Sequence, residues 1–288
     1  MRRLRISAIS YLNTAPLMWD FEHGESRKKL QEQFDVTYTI PSACAEALRS
    51  GAADIGIIPV AAYATIPGLA ILPGAAIAAL NAVRSILLVS RKRMDEVKTV
   101  ALDTSSMTSV ALCKVLLAKW LGGARGYQPM APDLDTMLAS GDAALLIGDP
   151  ALLIQRARYL TVIDLAEEWR KYTGKPFVFA FWAVRQEAVV EAVVAPGKAE
   201  DAISSLAEVF QRSRDHGLAT ASVEHIADEW APRLGMSVAD VTSYLTMNIH
   251  YFLDKQCREG LRLFYSYAEE CRALPAVDLA SLGESSFT

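Results

Sequence analysis

The chain lacks an apolar run long enough to cross a membrane. A membrane-spanning helix needs roughly 18 or more apolar residues. The segment AILPGAAIAAL comes closest, and Pro73 and Gly74 interrupt it. The basic start MRRLR resembles that of a signal peptide, but the apolar stretch behind it is short and soon reaches Asn13 and Pro16. These features predict a cytoplasmic protein with no membrane partner.

An excess of basic residues is also absent. The 29 Lys and Arg residues face 33 Asp and Glu residues, which gives a net charge of -4. This balance gives no reason to expect nucleic acid as a partner. None of the cysteines stands in a CxxC spacing, which favours free thiols over disulfides or a zinc site. The four cysteines are Cys44, Cys113, Cys257 and Cys271.

The common cofactor and nucleophile motifs are missing as well. The sequence contains no P-loop, no GxGxxG, no GxSxG and no HExxH. The histidines are scattered without metal-ligand spacing. They are His23, His216, His225 and His250. We therefore predict an enzyme or binding protein without metal and without cofactor.

What remains is an apolar chain in which strands and helices alternate. Its 288 residues, 52% of them hydrophobic, exceed the usual size of a single core and favour a two-lobed body. RLRISAIS, ADIGIIPV, RSILLVSR, KTVALD, AALLIG and FVFAFWAVR are typical of buried strands, with helices between several of them. This alternation predicts an α/β fold whose sheet is rich in parallel strands. From about residue 186 onward, the pattern predicts helices almost throughout, with His250 packed on a helix.

Two segments repeat the same plan. LRSGAADIGIIPV and LASGDAALLIGDP each contain a Ser-Gly helix end, an acidic strand entry, a buried strand and a proline. The repeat indicates two lobes of similar build, although helix-Gly-strand units are also common in any α/β protein.

Polar, mostly uncharged residues follow the predicted strands. In open α/β sheets, ligands bind beyond the carboxyl ends of the strands, so these exits are candidate site segments. They are SYLNTAP, IPSACAEA, AVRS, DTSSMTSV and IGDPAL. In DTSSMTSV the hydroxyl residues open an amphipathic helix, whose free amides could bind a carboxylate or phosphate. Plain N-capping by Ser106 or Thr108 would explain the same residues without a ligand. Asp149 lies at a strand exit, although an Asp before Pro is often a turn former.

Taken together, these motifs resemble the chorismate dehydratases of the futalosine route to menaquinone. The resemblance rests on SYLNTAPL, SGAADIGIIPV, SMTSVALCKVLL, ALLIGDPAL, DLAEEWRKYTGKPFVFAFWAVR and YLTMNIHYFLDKQCREGLRLFY, and it extends from residue 6 to about residue 268. It implies a two-lobed fold like that of the type 2 periplasmic binding proteins, with the ligand cleft between the lobes.

The resemblance also implies a division into lobes. Lobe one would contain residues 1–89 and 181–288, lobe two would be the inserted residues 90–180, and residues 269–288 would form a C-terminal tail. The strands ILLVS and FAFWAVR would cross between the lobes. The oligomeric state is not predicted.

The implied reaction is the loss of water from chorismate, which gives 3-[(1-carboxyvinyl)oxy]benzoate. Carried over from the family pattern, Asn13 and Ser85 would be the catalytic residues. The substrate-binding residues would be Tyr11, Thr14, Ser42, Arg84, Ser106, Met107, Thr108, Ser109, Gly148 and Asp149. Two alternatives of the same fold are an enzyme similar to 1,4-dihydroxy-6-naphthoate synthase and a non-catalytic protein that binds a small anion. Tyr-Leu-Asn-Thr after the first strand argues against the first.

Overall fold

The computed structural model describes residues 2–123, 125–192 and 199–277, with the side chains of residues 190–192 and 199–200 left out. Its strands are β1 (Leu4–Ile9), β2 (Phe34–Thr39), β3 (Ile55–Pro59), β4 (Leu69–Ala79), β5 (Ile86–Ser90), β6 (Thr99–Asp103), β7 (Gly126–Met130), β8 (Ala143–Ile147), β9 (Thr161–Asp164), β10 (Phe177–Arg185) and β11 (His250–Phe252).

Thirteen α-helices connect and cover these strands within the described residues. They are α1 (Trp19–Glu22), α2 (Arg27–Gln33), α3 (Pro41–Arg49), α4 (Val60–Tyr63), α5 (Thr108–Lys119), α6 (Leu134–Ser140), α7 (Asp149–Leu152), α8 (Leu165–Thr173), α9 (Gln186–Ala192), α10 (Ala199–Gly217), α11 (Thr220–Leu234), α12 (Val238–Ser243) and α13 (Lys255–Glu270). Short 3₁₀ helices span Leu12–Met18, Met94–Glu96 and Arg156–Arg158, and a π-helix spans Tyr244–Asn248.

The strands form two mixed sheets. The first has the order β11-β4-β10-β3-β1-β2, and the second has the order β7-β6-β8-β5-β9. In the first sheet β1 pairs parallel to β2 and β3, whereas β10 runs antiparallel to β3 and β4. In the second sheet β6 pairs parallel to β7 and β8, whereas β5 runs antiparallel to β8 and β9. The predicted α/β class is therefore confirmed. Both sheets also contain antiparallel strand pairs, which the alternation of strands and helices did not predict.

The internal repeat has a structural counterpart. β3 and β8 are the strands of the two repeated segments, and each follows a helix, α3 or α6. Each also lies between a parallel neighbour on one side and an antiparallel neighbour on the other. The strand order β4-β10-β3-β1-β2 of the first sheet thus matches β9-β5-β8-β6-β7 of the second. Equivalent strand exits consequently occur once in each sheet.

The sequence pattern did not predict several of the strands. The longest is β4, which contains the proline and glycine that were noted only as breaks in an apolar run. Its pairing with β10 is irregular, and these register shifts let a strand accommodate both residues. The prediction that His250 lies on a helix was wrong, because it begins β11 and pairs with Ala78. A neighbouring strand, not the local apolar pattern, decides the conformation there.

The chain passes from the first sheet to the second between β4 and β5 and returns between β9 and β10. Among the described residues, β5 pairs only within the second sheet and β10 only within the first. The exact lobe limits, 89/90 and 180/181, stay a prediction. Of the predicted tail, residues 278–288 lie outside the described residues.

Both sheets are deeply covered by helices. Every residue of β3, β5 and β8 is buried, as are the first eight residues of β10. All four cysteines are free thiols, as predicted. None of the described helices combines the length and the apolar character that crossing a membrane requires.

Candidate active site

A small cavity, with a largely apolar wall and several polar side chains, lies where strand exits of the two sheets meet. Ile9, Pro59 and Ile147, the last residues of β1, β3 and β8, contribute to its wall. Seven of the twelve residues predicted for the site line it, and they lie in segments next to strands of both sheets. These seven are Tyr11, Asn13, Ser85, Ser106, Thr108, Ser109 and Gly148. The fold thus brings together distant segments of the sequence, as in the contact of Leu12 with Asp149, which are 137 positions apart.

The other five predicted residues lie outside the lining. Thr14 is buried behind Asn13 and donates a hydrogen bond of 3.3 Å to its Oδ1. The Ser42 amide donates to the Ser105 carbonyl at 3.1 Å. Met107 precedes α5 and is partly buried against the core. Arg84 and Asp149 are adjacent to lining residues, and each takes part in a contact described below.

The cavity has no charge of its own. None of the described residues that line it carries an ionisable carboxyl, amino, guanidinium or imidazole group. Its polar groups are hydroxyls, one carboxamide and backbone amides, set among isoleucine, proline and phenylalanine side chains. Such groups can orient an anion by hydrogen bonds without the repulsion that a second carboxylate would add.

Ser85 is held by Tyr244, which was not among the residues predicted for the site. Ser85 is fully buried, and its Oγ accepts a hydrogen bond of 2.8 Å from the hydroxyl of Tyr244. Tyr244 belongs to the π-helix and is itself fully buried. Burial raises the pKa of Tyr244 far above its ordinary value, while Ser85 and Asn13 lower it as hydrogen-bond partners. Tyr244 therefore joins the two predicted catalytic residues. Its only sequence signal was its place in YLTMNIHYFLDK.

The turn before Ser85 is held by Asp164. Arg84 has a φ of +65°, which is rare outside glycine. The buried Asp164 carboxylate accepts from the amides of Val83 (3.2 Å) and Arg84 (2.6 Å). It also caps α8 by accepting from the amides of Ala166 (3.1 Å) and Glu167 (3.2 Å). One carboxylate thus fixes both a helix start and the approach to Ser85.

Asp149 connects the two sheets. Its carboxylate accepts from the Leu12 amide at 3.1 Å, directly before Asn13. Burial raises the pKa of Asp149 to about 6, and the hydrogen bond from Leu12 lowers it by less. This carboxyl therefore holds the segment after β1 in place rather than lining the cavity.

Tyr11 lies against Gly148 of the other sheet. A Cβ added to Gly148 would lie 2.6 Å from Cε2 of the Tyr11 ring, and the φ of Gly148 is +69°. Only glycine satisfies both conditions at low cost. Burial also raises the pKa of Tyr11, which is hydrogen-bonded to Ser105.

At the start of α5, capping and a link between the sheets are both present. The Ser106 Oγ accepts from the Ser109 amide at 3.1 Å, which is the capping interaction that the sequence left open. The Thr108 hydroxyl donates to the Phe179 carbonyl of β10 and accepts from the Ala61 amide of α4, both at 3.1 Å. Thr108 is therefore a bridge between the two halves, whatever else it binds.

The cavity is small in this structure. Its volume is about 40 Å³, far below the roughly 300–1,000 Å³ of ordinary ligand pockets. Tyr11, Thr108 and Asp149 all hold the two halves together across it. A substrate must therefore enter a more open form.

These features define a two-sheet protein with a cavity between the sheets, and comparison with solved structures identifies that architecture. The Candida albicans CA3427 gene product, described as having the generic periplasmic binding protein fold, is similar with a TM-score of 0.64 and 11% identity, over 98% of this chain and 94% of that one. The alkanesulfonate-binding protein SsuA from Xanthomonas axonopodis pv. citri also has a TM-score of 0.64, with 16% identity over 97% of each chain. The predicted periplasmic-binding-protein-like fold is confirmed.

Sequence comparison identifies the particular group. Residues 4–270 match the model of a family described as menaquinone biosynthesis. A chorismate dehydratase of Thermus thermophilus is 31% identical over 283 residues, which cover 92% of this chain and 94% of the relative. The chain belongs to this menaquinone biosynthesis family, as its motifs predicted.

Proposed function

We propose that this protein is a chorismate dehydratase, a carbon–oxygen lyase that converts chorismate to 3-[(1-carboxyvinyl)oxy]benzoate. The observation that carries the proposal is the likeness to the Thermus enzyme, which extends over nearly the whole of both chains. The hydroxyls and the carboxamide that line the cavity support it, because they can bind the two carboxylates and the hydroxyl leaving group of chorismate by hydrogen bonds. A cytoplasmic location, without cofactor, nucleic acid or membrane, is part of the proposal and fits a biosynthetic family.

The elimination breaks a C–H bond and a C–O bond at two neighbouring ring carbons. The ring carbon that bears the enolpyruvyl ether loses its proton, and the neighbouring carbon loses its hydroxyl as water. The electron pair of the C–H bond becomes the new double bond, and the ring becomes aromatic. Because aromatisation makes the reaction strongly downhill, the protein needs chiefly to orient the substrate, to assist the leaving hydroxyl and to place a base.

In this proposal Asn13 and Ser85 bind the substrate at the reacting ring. Both lie at the cavity, and both contact Tyr244. Their uncharged groups would hold a carboxylate and the departing hydroxyl. The start of α5 would bind a carboxylate through its free amides and the positive end of the helix dipole.

The base would be the enolpyruvyl carboxylate of the substrate itself. Among the described residues, no histidine or carboxylate lines the cavity. Asp149 lies nearest in sequence to a lining residue, but its carboxylate is hydrogen-bonded to the Leu12 amide. Orientation of well-placed reacting groups can contribute about 7–11 kcal/mol, which suits an enzyme whose substrate supplies its own base.

The test is incubation of the purified protein with chorismate, followed by ultraviolet absorbance and mass spectrometry. We expect an aromatic product that is lighter than chorismate by one water. Asn13→Ala and Ser85→Ala should each reduce turnover by about 10²–10³, as for a lost oxyanion donor. Asn81→Ala and Ser50→Ala, at exposed positions, are the matched controls and should leave turnover unchanged. Binding of chorismate without conversion would instead support the non-catalytic alternative.

A further inference from the structure

A cluster of two histidines and a glutamate lies outside the cavity. His23 follows α1, whereas His225 and Glu229 lie one turn apart on α11. Their potential ligand atoms all lie within 4.8 Å of one another. The cluster has no sequence motif, because His23 and His225 come from segments about 200 positions apart.

The distances within this cluster are too long for hydrogen bonds. The Glu229 carboxylate oxygens lie 3.6 Å from Nε2 of His23 and 3.7 Å from Nε2 of His225. Hydrogen bonds between nitrogen and oxygen are ordinarily about 2.7–3.2 Å long. Nδ1 of His23 is buried and likewise has no hydrogen-bond partner. Hydrogen bonding therefore does not explain why these groups converge.

The same distances suit a shared metal ion. Zinc binds histidine nitrogen at about 2.0–2.1 Å and carboxylate oxygen at about 2.0–2.2 Å, in tetrahedral geometry. Two such ligands are then about 3.3–3.5 Å apart, which is close to the separations found here. Two histidines and one glutamate are a known zinc ligand set, with a fourth position left for water.

The imidazole rings are held in place by neighbouring rings. Trp19 stacks on His23 with a centroid distance of 4.5 Å and meets His225 edge-on at 5.6 Å. The two imidazoles pack against each other edge-on at 5.1 Å. Because His225 and Glu229 are four residues apart on one helix, they project from the same face. Little reorganisation is then needed to bind an ion.

A second cluster, formed by His250, Asp254 and Cys257, is explained by hydrogen bonds within it. His250 Nε2 lies 2.8 Å from the Asp254 carboxylate, and Asp254 caps α13 by accepting from the Cys257 amide at 2.8 Å. Burial raises the pKa of the Cys257 thiol to about 12, which disfavours the thiolate that a metal requires. Hydrogen bonding and capping explain this cluster without a metal.

We propose that His23, His225 and Glu229 form a binding site for one Zn²⁺ ion. The ion would tie α1 to α11. Since α1 directly continues the 3₁₀ helix that carries Asn13, zinc would stabilise the segment that supplies one wall of the cavity. The site is separate from the lining of the cavity and does not depend on the proposed dehydratase activity.

Calorimetric titration of the chelator-treated protein with zinc chloride tests the proposal, together with thermal unfolding. We expect one Zn²⁺ per chain and a higher melting temperature in its presence. Loss of a ligand in His225→Ala or Glu229→Gln should weaken binding by roughly 100-fold or more. His225 and Glu229 are 53% and 35% exposed, so both variants should fold.

His216→Ala is the matched control, because His216 is similarly exposed but is paired with Asp20 at 2.9 Å. It should bind zinc as the unaltered protein does. Equal zinc affinity in His225→Ala, Glu229→Gln and the unaltered protein would overturn the proposal, as would the absence of any binding heat. Loss of binding in His216→Ala alone would also place the ion elsewhere.

Discussion

At the scale of single residues, the cavity combines uncharged donors with side chains that hold them from behind. Asn13 and Ser85 face the cavity, and Tyr244 contacts both. Asp149 stands one position beyond the lining residue Gly148. The residues in contact with substrate would thus be neutral. The ionisable groups of Tyr244 and Asp149 would instead hold these residues or their neighbours in place.

Replacing Asp149 by asparagine should change how stability depends on pH. The folded pKa of about 6 lies above the ordinary value of about 3.9. The folded state therefore binds the proton more tightly, and this stability is present below about pH 4 and lost as pH rises through about 6. An asparagine side chain at this position would keep an acceptor for the Leu12 amide without a charge.

We expect Asp149→Asn to raise the free energy of unfolding at pH 7.5, by at most about 3 kcal/mol, and to change it little at pH 4.5. Urea unfolding at several pH values measures this. Asp133→Asn is the control, since the hydrogen bonds of Thr136 lower the pKa of this exposed carboxyl and no gain is expected. A difference between Asp149→Asn and the unaltered protein that does not vary with pH would contradict the prediction. Turnover should remain substantial if the substrate supplies the base.

Replacing Tyr244 by phenylalanine should impair turnover more than binding. The change removes the hydrogen bond to Ser85 Oγ and keeps the ring. We expect kcat to fall by about tenfold, as for one hydrogen bond, with KM little changed. Tyr265→Phe is the control, because Tyr265 is also buried and bonded, but to the Val60 carbonyl at 2.7 Å. An equal loss in both variants would indicate a general effect on packing.

At the scale of secondary structure, helix and strand ends place the site residues. The start of α5 carries Ser109, β5 begins directly after Ser85, and β8 ends before Gly148. Asp164 joins two such ends, because it caps α8 and holds the turn before β5. Asp164 is the aspartate of the motif DLAEEW, which on sequence alone indicated only a resemblance to the family. Its hydrogen bonds give that residue a structural role.

Asp164→Ala should lower both stability and turnover. Four amides lose their acceptor, and Arg84 loses the support for its left-handed backbone. We expect a loss of about 3 kcal/mol in the free energy of unfolding, and a reduced kcat because Ser85 is no longer fixed. Asp133→Ala, which removes only the cap of α6, should cost less and leave kcat unchanged. Equal kcat in Asp164→Ala and the unaltered protein would refute the positioning role.

At the scale of the whole molecule, the two sheets and the small cavity point to opening and closing. Contacts of Tyr11, Leu12 and Thr108 hold the halves together in this structure. Product at 100 times its dissociation constant should stabilise the protein by about 2.7 kcal/mol. Small-angle scattering with and without product should show a smaller radius of gyration in the bound state.

Gly148→Ala should shift the molecule toward its open form. The added methyl group would overlap the Tyr11 ring. The ring, which follows β1 of the first sheet, must therefore move away from Gly148, which follows β8 of the second sheet. We expect a larger radius of gyration and a KM raised by about tenfold, which corresponds to a loss of about 1.4 kcal/mol in binding. Gly174→Ala is the matched control, with the same φ of +69° but no atom within 4 Å of the added carbon. If both variants behave alike, backbone strain and not the Tyr11 contact is responsible.

The sequence by itself determined the local features. Apolar runs specified β1, β3, β5, β6, β8 and β10, because buried strands leave that signal wherever they pair. The repeated helix-Gly-strand plan indicated two similar units, and the polar strand exits marked seven residues that do line the cavity. Their roles in binding and catalysis stay predictions.

The tertiary structure alone decided which distant groups meet. Tyr244 lies 159 positions from Ser85, yet their hydroxyls are 2.8 Å apart. His23 meets His225 in the same way, although neither stands in a recognisable ligand motif. The strand β11 forms only because β4 offers it a partner. Periodicity reports which face of a segment is buried, but it carries no information about the partner, and hydrogen bonds, pKa shifts and ligand sets all depend on that partner.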